Sequence, residues 1–504
     1  MCFAKAFIAM IWLILLATLV ALFYIYTYRC FKYWENRNVY FEKPVPIFGN
    51  FYDVAIRKKH MGDVLQEIHM KLDENIPYFG VYIFHAPNLV VRTKEMIKEV
   101  LIKNFASFPN RMDYTNEVVD PLSAYDLFSM KEEMWKFTRS KLSPAFSSGK
   151  MKNMYPLMKE VSNHLHNLLV SLEGQEVDVR DLSKRFLVDI ISSCAFGINA
   201  ESLQNKNSKI KAMADQMLDQ RGFVRSFAVF AWFFCPLLVD IFRLPFVEKE
   251  SSDFLVDVFL RSYKERKKLN VKRNDLIDLL HELVGEKSQN DLVVFDEIKM
   301  SAQAMAFFNA GEGTSSILLT LCLYEMAMNI DIQEKLREEI RKTLDSTGEL
   351  SYENVLEMEY LDMVTKETLR KYPFLQLLQR YCVKDHTFET GLTVKKGQRV
   401  LIPTLALHYD PRYYPEPEKF NPERFRGDKI KDLQYVFLPF GDGPRKCIGA
   451  RFGLMSMKTG LATILKDFEV VPGPQTEIPL RFEKAAFFTT PESAQVMLKL
   501  RKVA

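Results

Sequence analysis

The 504-residue sequence contains no C-x-x-C pair, no H-x-x-x-H pair and no G-x-G-x-x-G stretch. Its seven cysteines, at positions 2, 30, 194, 235, 322, 382 and 447, show no paired spacing. That excludes a disulfide framework and leaves structural zinc or an iron–sulfur cluster without ligands at a suitable spacing. Scattered thiols fit a reducing compartment. The missing glycine fingerprint removes a dinucleotide site, so nicotinamide or flavin chemistry would have to come from another protein. A large charge excess is lacking too: the net charge is +4, too small to mark a nucleic-acid binder, and no nucleic-acid partner is expected. No internal repeat or low-complexity linker follows residue 50. What is present is apolar: 48% hydrophobic against 26% charged residues, enough for a large packed core.

The first apolar feature is a run from Ala6 to Tyr28 that carries no charge. As a helix it is roughly 35 Å long, enough to cross a ~30 Å hydrocarbon layer. Tyr24, Tyr26 and Tyr28 cluster near one end, where interfacial aromatics sit, and Arg29, Lys32, Arg37 and Lys43 follow. The positive-inside rule then places the rest of the chain in the cytosol. A cleaved signal peptide would have a shorter apolar core, about 7–15 residues, and a small-x-small cleavage site. Pro44-Val-Pro46-Ile-Phe-Gly49 reads as a stiff connector. The expected organisation is a membrane anchor at 1–28, a basic, proline-rich linker at 29–50 and one large domain at 51–504. Strand character is expected at Tyr78–Val91, 376–405 and 467–500, with helical periodicity through most of 130–370. The fold class is therefore mainly α with a small β portion. Residues 223–246 are very apolar, but Arg225, Asp240, Arg243 and Pro236 interrupt them. These interruptions argue against a second span and favour either a buried core segment or a surface that dips into a bilayer.

The densest signal is Phe437-Leu-Pro-Phe440-Gly441-Asp-Gly443-Pro-Arg445-Lys-Cys447-Ile-Gly449, followed by an apolar helical run to Leu465. Glycines let a backbone turn tightly and approach a ligand closely. A cysteine near a helix N-terminus meets free amides and the positive end of the dipole, which favour thiolate, the metal-binding form. The spacing Phe-x-x-Gly-x-Arg-x-Cys-x-Gly resembles the heme-binding loop of the cytochromes P-450. That resemblance implies heme b with Cys447 as axial thiolate ligand, and Phe440, Arg445 and Gly449 as cofactor-binding neighbours. It extends over roughly residues 40–500 and implies the fold of that family.

Further motifs follow in the family's order. Asp296 to Asn329 reads as one long helix interrupted by Ala310-Gly311-Glu312-Gly313-Thr314-Ser315. By resemblance this is the groove over the distal heme face, and Thr314 is the hydroxyl that helps deliver protons. The family has an acid just before the threonine; here that position is Gly313. Glu312, one place earlier, is about 100° away around the helix. Either a reshaped groove lets Glu312 serve as the second catalytic residue, or protons come another way. Glu367-Thr-Leu-Arg370 matches the family's E-x-x-R, whose i, i+3 spacing puts both groups on one helix face, with Arg424 as the expected structural partner. Trp135, Arg139, Arg380 and Arg445 match positions that contact heme propionates, which suit guanidinium forks. Lys131, Lys136, Lys141, Lys446, Arg451 and Lys458 make a basic set near the proximal side, suited to an acidic electron donor.

The resemblance thus implies a microsomal heme-thiolate monooxygenase in the endoplasmic reticulum membrane, its domain on the cytosolic face. Segments such as Leu142-Ser-Pro-Ala-Phe-Ser-Ser-Gly-Lys-Met and Ala406-Leu-His-Tyr-Asp-Pro are similar to the insect xenobiotic-metabolising branch. It would insert one atom of O₂ into a lipophilic small molecule, in xenobiotic or hormone metabolism. Implied partners are NADPH-cytochrome P-450 reductase, with cytochrome b5 as a second donor, and membrane lipid. The substrate pocket should draw on 108–128, 223–235, 307–314, 375–378 and 487–489. Two other classes remain: a heme-thiolate isomerase or dehydratase acting on peroxides, and a non-enzymatic heme protein. NADPH consumption with reductase separates the three.

Overall fold

The computed structural model describes residues 2–503 apart from 113, 218–221, 271–272, 274, 288–293, 485 and 493–494. The chain opens with one continuous helix, α1 (Cys2–Phe31). Every side chain from Met10 to Tyr26 is exposed, so no protein core covers this apolar helix. A helix apolar on all faces, and touching the rest of the protein only near its C-terminal end, fits a lipid environment. The stretch Met10–Arg37 is long and apolar enough to cross a membrane. Residues 29–50 do not hang free. Trp34 and Val39 are buried, Phe41 bridges Gly80, and Gly49 bridges Ile83, so this segment lies along the first strand.

The main sheet has four strands: β1 (Tyr78–Ile83), β2 (Ala86–Val91), β3 (Leu378–Tyr381) and β4 (Arg399–Ile402), in the order β1-β2-β4-β3. β1 and β2 form a hairpin with Ile83 opposite Ala86. β2 runs parallel to β4, and β4 antiparallel to β3. A three-stranded sheet joins Glu176–Asp178, Met497–Lys502 and Phe468–Val471.

The remainder is helical. The helices that position the site are α2 (Glu132–Leu142), α3 (Val179–Ile191), α4 (Lys209–Met217), α5 (Phe223–Phe234), α6 (Pro236–Phe242), α7 (Glu297–Met328), α8 (Glu359–Lys371) and α9 (Ala450–Leu465). Asp296 caps α7 by accepting from the Lys299 amide, and the helix runs unbroken through 310–315. The expected interruption is absent because packing overrides propensity there. A Cβ on Gly311 would fall 2.8 Å from Ile191 of α3, so the glycine marks close helix contact. The α7 side chains Leu319, Leu321, Cys322, Leu323 and Met326 lie wholly inside the core.

Segment 223–246 divides between core and exposed surface. Ala231, Trp232 and Phe233 are in the core, while Phe223, Val224, Leu237, Ile241 and Phe242 are exposed. Pro236 sits in the first turn of α6, where its missing N–H costs nothing, and so separates two short helices.

Candidate functional site

The loop before α9 is closed on itself. The Cys447 amide donates to the Phe440 carbonyl at 2.9 Å. Gly441 and Gly443 both have positive φ, and a Cβ on Gly443 would lie 2.0 Å from the Leu101 carbonyl oxygen. Glycine there is a steric requirement. Gly449 is the N-cap of α9, without a side-chain cap, which leaves the amides of the first turn free to face Cys447. The Cys447 side chain is solvent-accessible yet walled by protein. Burial pushes its thiol up, while the Gly449 amide, the Arg111 and Arg139 charges and the Ala450 amide pull it down.

Four guanidiniums gather nearby, and two of them, Arg111 and Arg139, act directly on the cysteine. Arg445 donates from Nε to the Pro109 carbonyl at 2.8 Å, from Nη1 to Phe128 at 3.4 Å and from Nη2 to Met130 at 2.6 Å. It also lies over the Trp135 ring, 4.3 Å from its centre. Arg380 on β3 leaves its buried Nε without a partner. Burial and neighbouring cations lower Arg445 to about 8, Arg380 to about 9 and Arg111 to about 10. Arg139 on α2 is lowered by burial as well. Among the described residues none of the four is paired with a carboxylate at ion-pair distance. Asp126 is near Arg445 and Arg111, but burial pushes its own carboxyl up to about 7.

Clustered, half-desolvated cations of this kind require an anion. A macrocycle bearing two carboxylates, with a thiolate ligand below it, meets that requirement, so these residues fit heme. Trp135, Arg139, Arg380 and Arg445 are brought together as expected. Arg111 was not foreseen from the sequence. It lies in irregular chain after Phe108-Pro-Asn, with no periodicity to flag it.

Glu367 and Arg370 on α8 are both fully buried and joined by two bonds, 2.7 Å from Nε and 2.9 Å from Nη2. Arg424 Nε lies 3.4 Å from Glu367, and the Asn421 amide donates to the same carboxylate at 2.8 Å. His408 extends this cluster toward the cysteine loop. The Leu438 amide donates to its Nε2 at 3.0 Å, so Nδ1 carries the proton given to the Arg370 carbonyl at 3.0 Å. Burial holds the His408 ring neutral, at about 3.

Glu312 and Thr314 do not meet. Two residues apart, they are about 200° apart around α7. The Thr314 hydroxyl donates to the Ala310 carbonyl at 2.7 Å. Glu312 is buried on the far side, 3.9 Å from Lys184 of α3, with Ser316 donating at 3.4 Å. Lys184 in turn pairs with Asp215 of α4 at 2.8 Å, and Asp215 with Lys211 at 2.8 Å. Burial raises the Glu312 carboxyl despite Lys184.

Other expectations shift in the same way. Phe108 is fully buried against His386 and Phe388. Phe307 packs on Phe146. Phe128, Phe233 and Phe487, from three distant segments, do converge: Phe233 stacks on Phe487 at 4.0 Å and meets Phe128 at 6.2 Å. Of the basic set, Lys136, Lys446 and Arg451 are exposed, but Lys458 is buried and paired with Asp362 at 2.7 Å.

The profile of one family, Cytochrome P450, matches residues 40–498. Cytochrome P450 6j1 of Blattella germanica is 37% identical over 94% of this chain and 95% of its own length. Cytochrome P450 6k1 of the same insect is 37% identical over 93% of each chain. The Drosophila melanogaster protein named "Probable cytochrome P450 6a23" is 38% identical over 98% of this chain and 99% of its own.

Proposed function

The chain belongs to the cytochrome P450 family of heme-thiolate monooxygenases, and on that premise we propose that Cys447 is the axial ligand and that the enzyme oxidises lipophilic foreign compounds at a membrane surface. The observation that carries this reading is the cluster of Arg111, Arg139, Arg380 and Arg445, two of whose charges, Arg111 and Arg139, act on Cys447 together with the Gly449 and Ala450 amides. Bound there, heme supplies dioxygen activation, helped by electron donation from the thiolate. Arg111, Arg139 and Arg380 would hold the propionates. Arg445 and Trp135 brace that edge, because three Arg445 bonds already tie it to loop carbonyls. Phe128, Phe233 and Phe487 form an apolar roof that excludes water and receives lipophilic substrate. Electrons come from NADPH-cytochrome P-450 reductase, or cytochrome b5, docked near Lys136, Lys446 and Arg451. The test is reconstitution with reductase, NADPH and ¹⁸O₂: one labelled oxygen should appear in a lipophilic substrate. NADPH-independent rearrangement of a peroxide would overturn the reading.

Thr314, whose hydroxyl donates to the Ala310 carbonyl, passes protons on the distal side. Glu312 instead ties α7 to α3 and α4. Glu312→Ala is therefore expected to leave product formed per NADPH unchanged while costing about 1–3 kcal/mol of stability, the scale of a hydrogen bond to a charged group. Thr314→Ala should lower that ratio with peroxide released, and Gly313→Glu should raise it. Proton transfer by a positioned side chain is worth ~10²–10⁴-fold in rate. A large loss of coupling in Glu312→Ala would instead make Glu312 the proton relay.

Residues 1–28 anchor the chain in the endoplasmic reticulum, with the large domain facing the cytosol. The exposed side chains Phe223, Val224, Leu237, Ile241 and Phe242 add a second lipid contact. Protease outside sealed microsomes is expected to digest the domain. Deleting 1–28 should leave heme binding intact and some membrane attachment in place. That residue should disappear when Leu237 and Ile241 are both changed to serine.

A further inference from the structure

We infer that the two-residue turn Phe84–His85 between β1 and β2 is a rigid joint that holds the anchor helix and the lipid-facing helices α5 and α6 in fixed register, so that the domain rests on a bilayer at one defined tilt. The inference rests on α1 being a membrane anchor and goes beyond it, since an anchor alone would leave the domain free to swing.

The joint has two sides. On the first, α1 is gripped by a histidine. Thr27 is 6% exposed, whereas its neighbours Tyr26 and Tyr28 are 56% and 54% exposed. Its Oγ1 lies 3.1 Å from Nε2 of His85. The imidazole is also cupped by rings of α1: Phe31 stacked at 5.6 Å, Tyr26 at 5.3 Å and Phe23 edge-on at 5.6 Å. Contacts spread over two turns of one helix fix its rotation as well as its position. Below this grip the chain has no slack. The Tyr82 hydroxyl donates to the Phe31 carbonyl at 2.9 Å, and the Trp34 amide donates to that hydroxyl at 3.1 Å. The Trp34 indole lies flush on Gly80, where a Cβ would fall 2.4 Å from the ring. The helix therefore leaves the membrane directly into the sheet.

On the second side, Phe84 reaches α5. Its ring meets Phe230 edge-on at 5.9 Å. Near the start of the same helix, Arg57 donates to the Ser226 hydroxyl at 3.0 Å and lies over Phe223 at 5.4 Å. Phe84 adopts φ +53°, a left-handed conformation that a bulky residue takes only when its surroundings impose it. That conformation lets adjacent side chains serve the two sides, with His85 on the anchor and Phe84 on α5. Along α5 and α6 the exposed side chains Phe223, Val224, Leu237, Ile241 and Phe242 face outward. Lipid is the occupant this surface calls for, because α5 is linked through Phe84 and His85 to a helix that is itself apolar on all sides. Burial lowers His85, which favours the neutral ring.

The test is linear dichroism of the heme band in the full-length holoprotein, reconstituted into oriented phosphatidylcholine bilayers. Wild type should give a strong, single-valued dichroic signal. Thr27→Val with His85→Ala, and separately Phe84→Gly, should lose most of that signal while keeping the reduced carbon monoxide spectrum. A fluorophore on Leu237→Cys should lose quenching by lipid-borne nitroxide in the same variants. Thr27→Ser, which keeps the hydroxyl beside His85, should keep the wild-type dichroism. Unchanged dichroism in the loosened variants, or lost dichroism in Thr27→Ser, overturns the joint. Release of the wild-type chain from membranes by alkaline carbonate would instead remove the anchor reading itself and the inference with it.

Discussion

Cys447→Ala is expected to lose the thiolate-type absorbance of the reduced carbon monoxide complex and all monooxygenase turnover, whatever heme the variant still holds. Four other thiols are poorly suited to take its place. Burial pushes Cys194 and Cys322 to about 12 and Cys235 to about 11, and raises Cys382 as well. At Cys447 burial raises the thiol too, but the charges of Arg111 and Arg139 and the amides of Gly449 and Ala450 act against it. Those are the groups that hold a thiolate once iron is bound. The measurement is the difference spectrum, with total heme from the pyridine complex. A Cys447→Ala protein that kept the thiolate spectrum, with another cysteine variant losing it, would falsify the ligand assignment.

The second large effect is structural. Glu367→Ala should cost ~3–5 kcal/mol, because it leaves an uncompensated buried guanidinium behind. The carboxylate also receives the Asn421 amide, so one deletion orphans Arg370, part of Arg424 and a backbone donor together. The damage should pass to the cysteine loop. Arg370 holds His408 by its carbonyl, and His408 holds the Leu438 amide, nine residues before Cys447. The expected result is little or no heme-loaded protein, read by thermal unfolding and heme absorbance. Glu367→Gln keeps an acceptor for Asn421 and should be milder. Normal heme incorporation and unchanged unfolding in Glu367→Ala would remove the scaffold role.

The parts of the site legible in the sequence are those whose chemistry is local. Gly443, Arg445 and Cys447 lie within five residues, so their spacing alone describes a turn feeding a helix. Glu367 and Arg370 share a face at i, i+3 wherever a helix forms. The anchor needs only length and the absence of charge. Even the departure at Gly313 could be read, because it is a statement about one position.

What stayed hidden depended on what packs against what. Arg111 and Arg445 are 334 residues apart, yet the Arg111 guanidinium donates to the Arg445 carbonyl. Lys458, counted as surface charge, is buried on Asp362. The direction of Glu312 is set by Lys184, 128 positions earlier. The sequence by itself determined the cysteine, its turn, the ion-pair helix and the anchor, because periodicity and short spacing act through neighbouring residues. Only the tertiary structure decided which guanidiniums face the cysteine, which side of α7 its acid takes, and how the anchor seats on Phe84 and His85. Those outcomes follow from burial and charge pairing between segments that the chain brings together only when it folds.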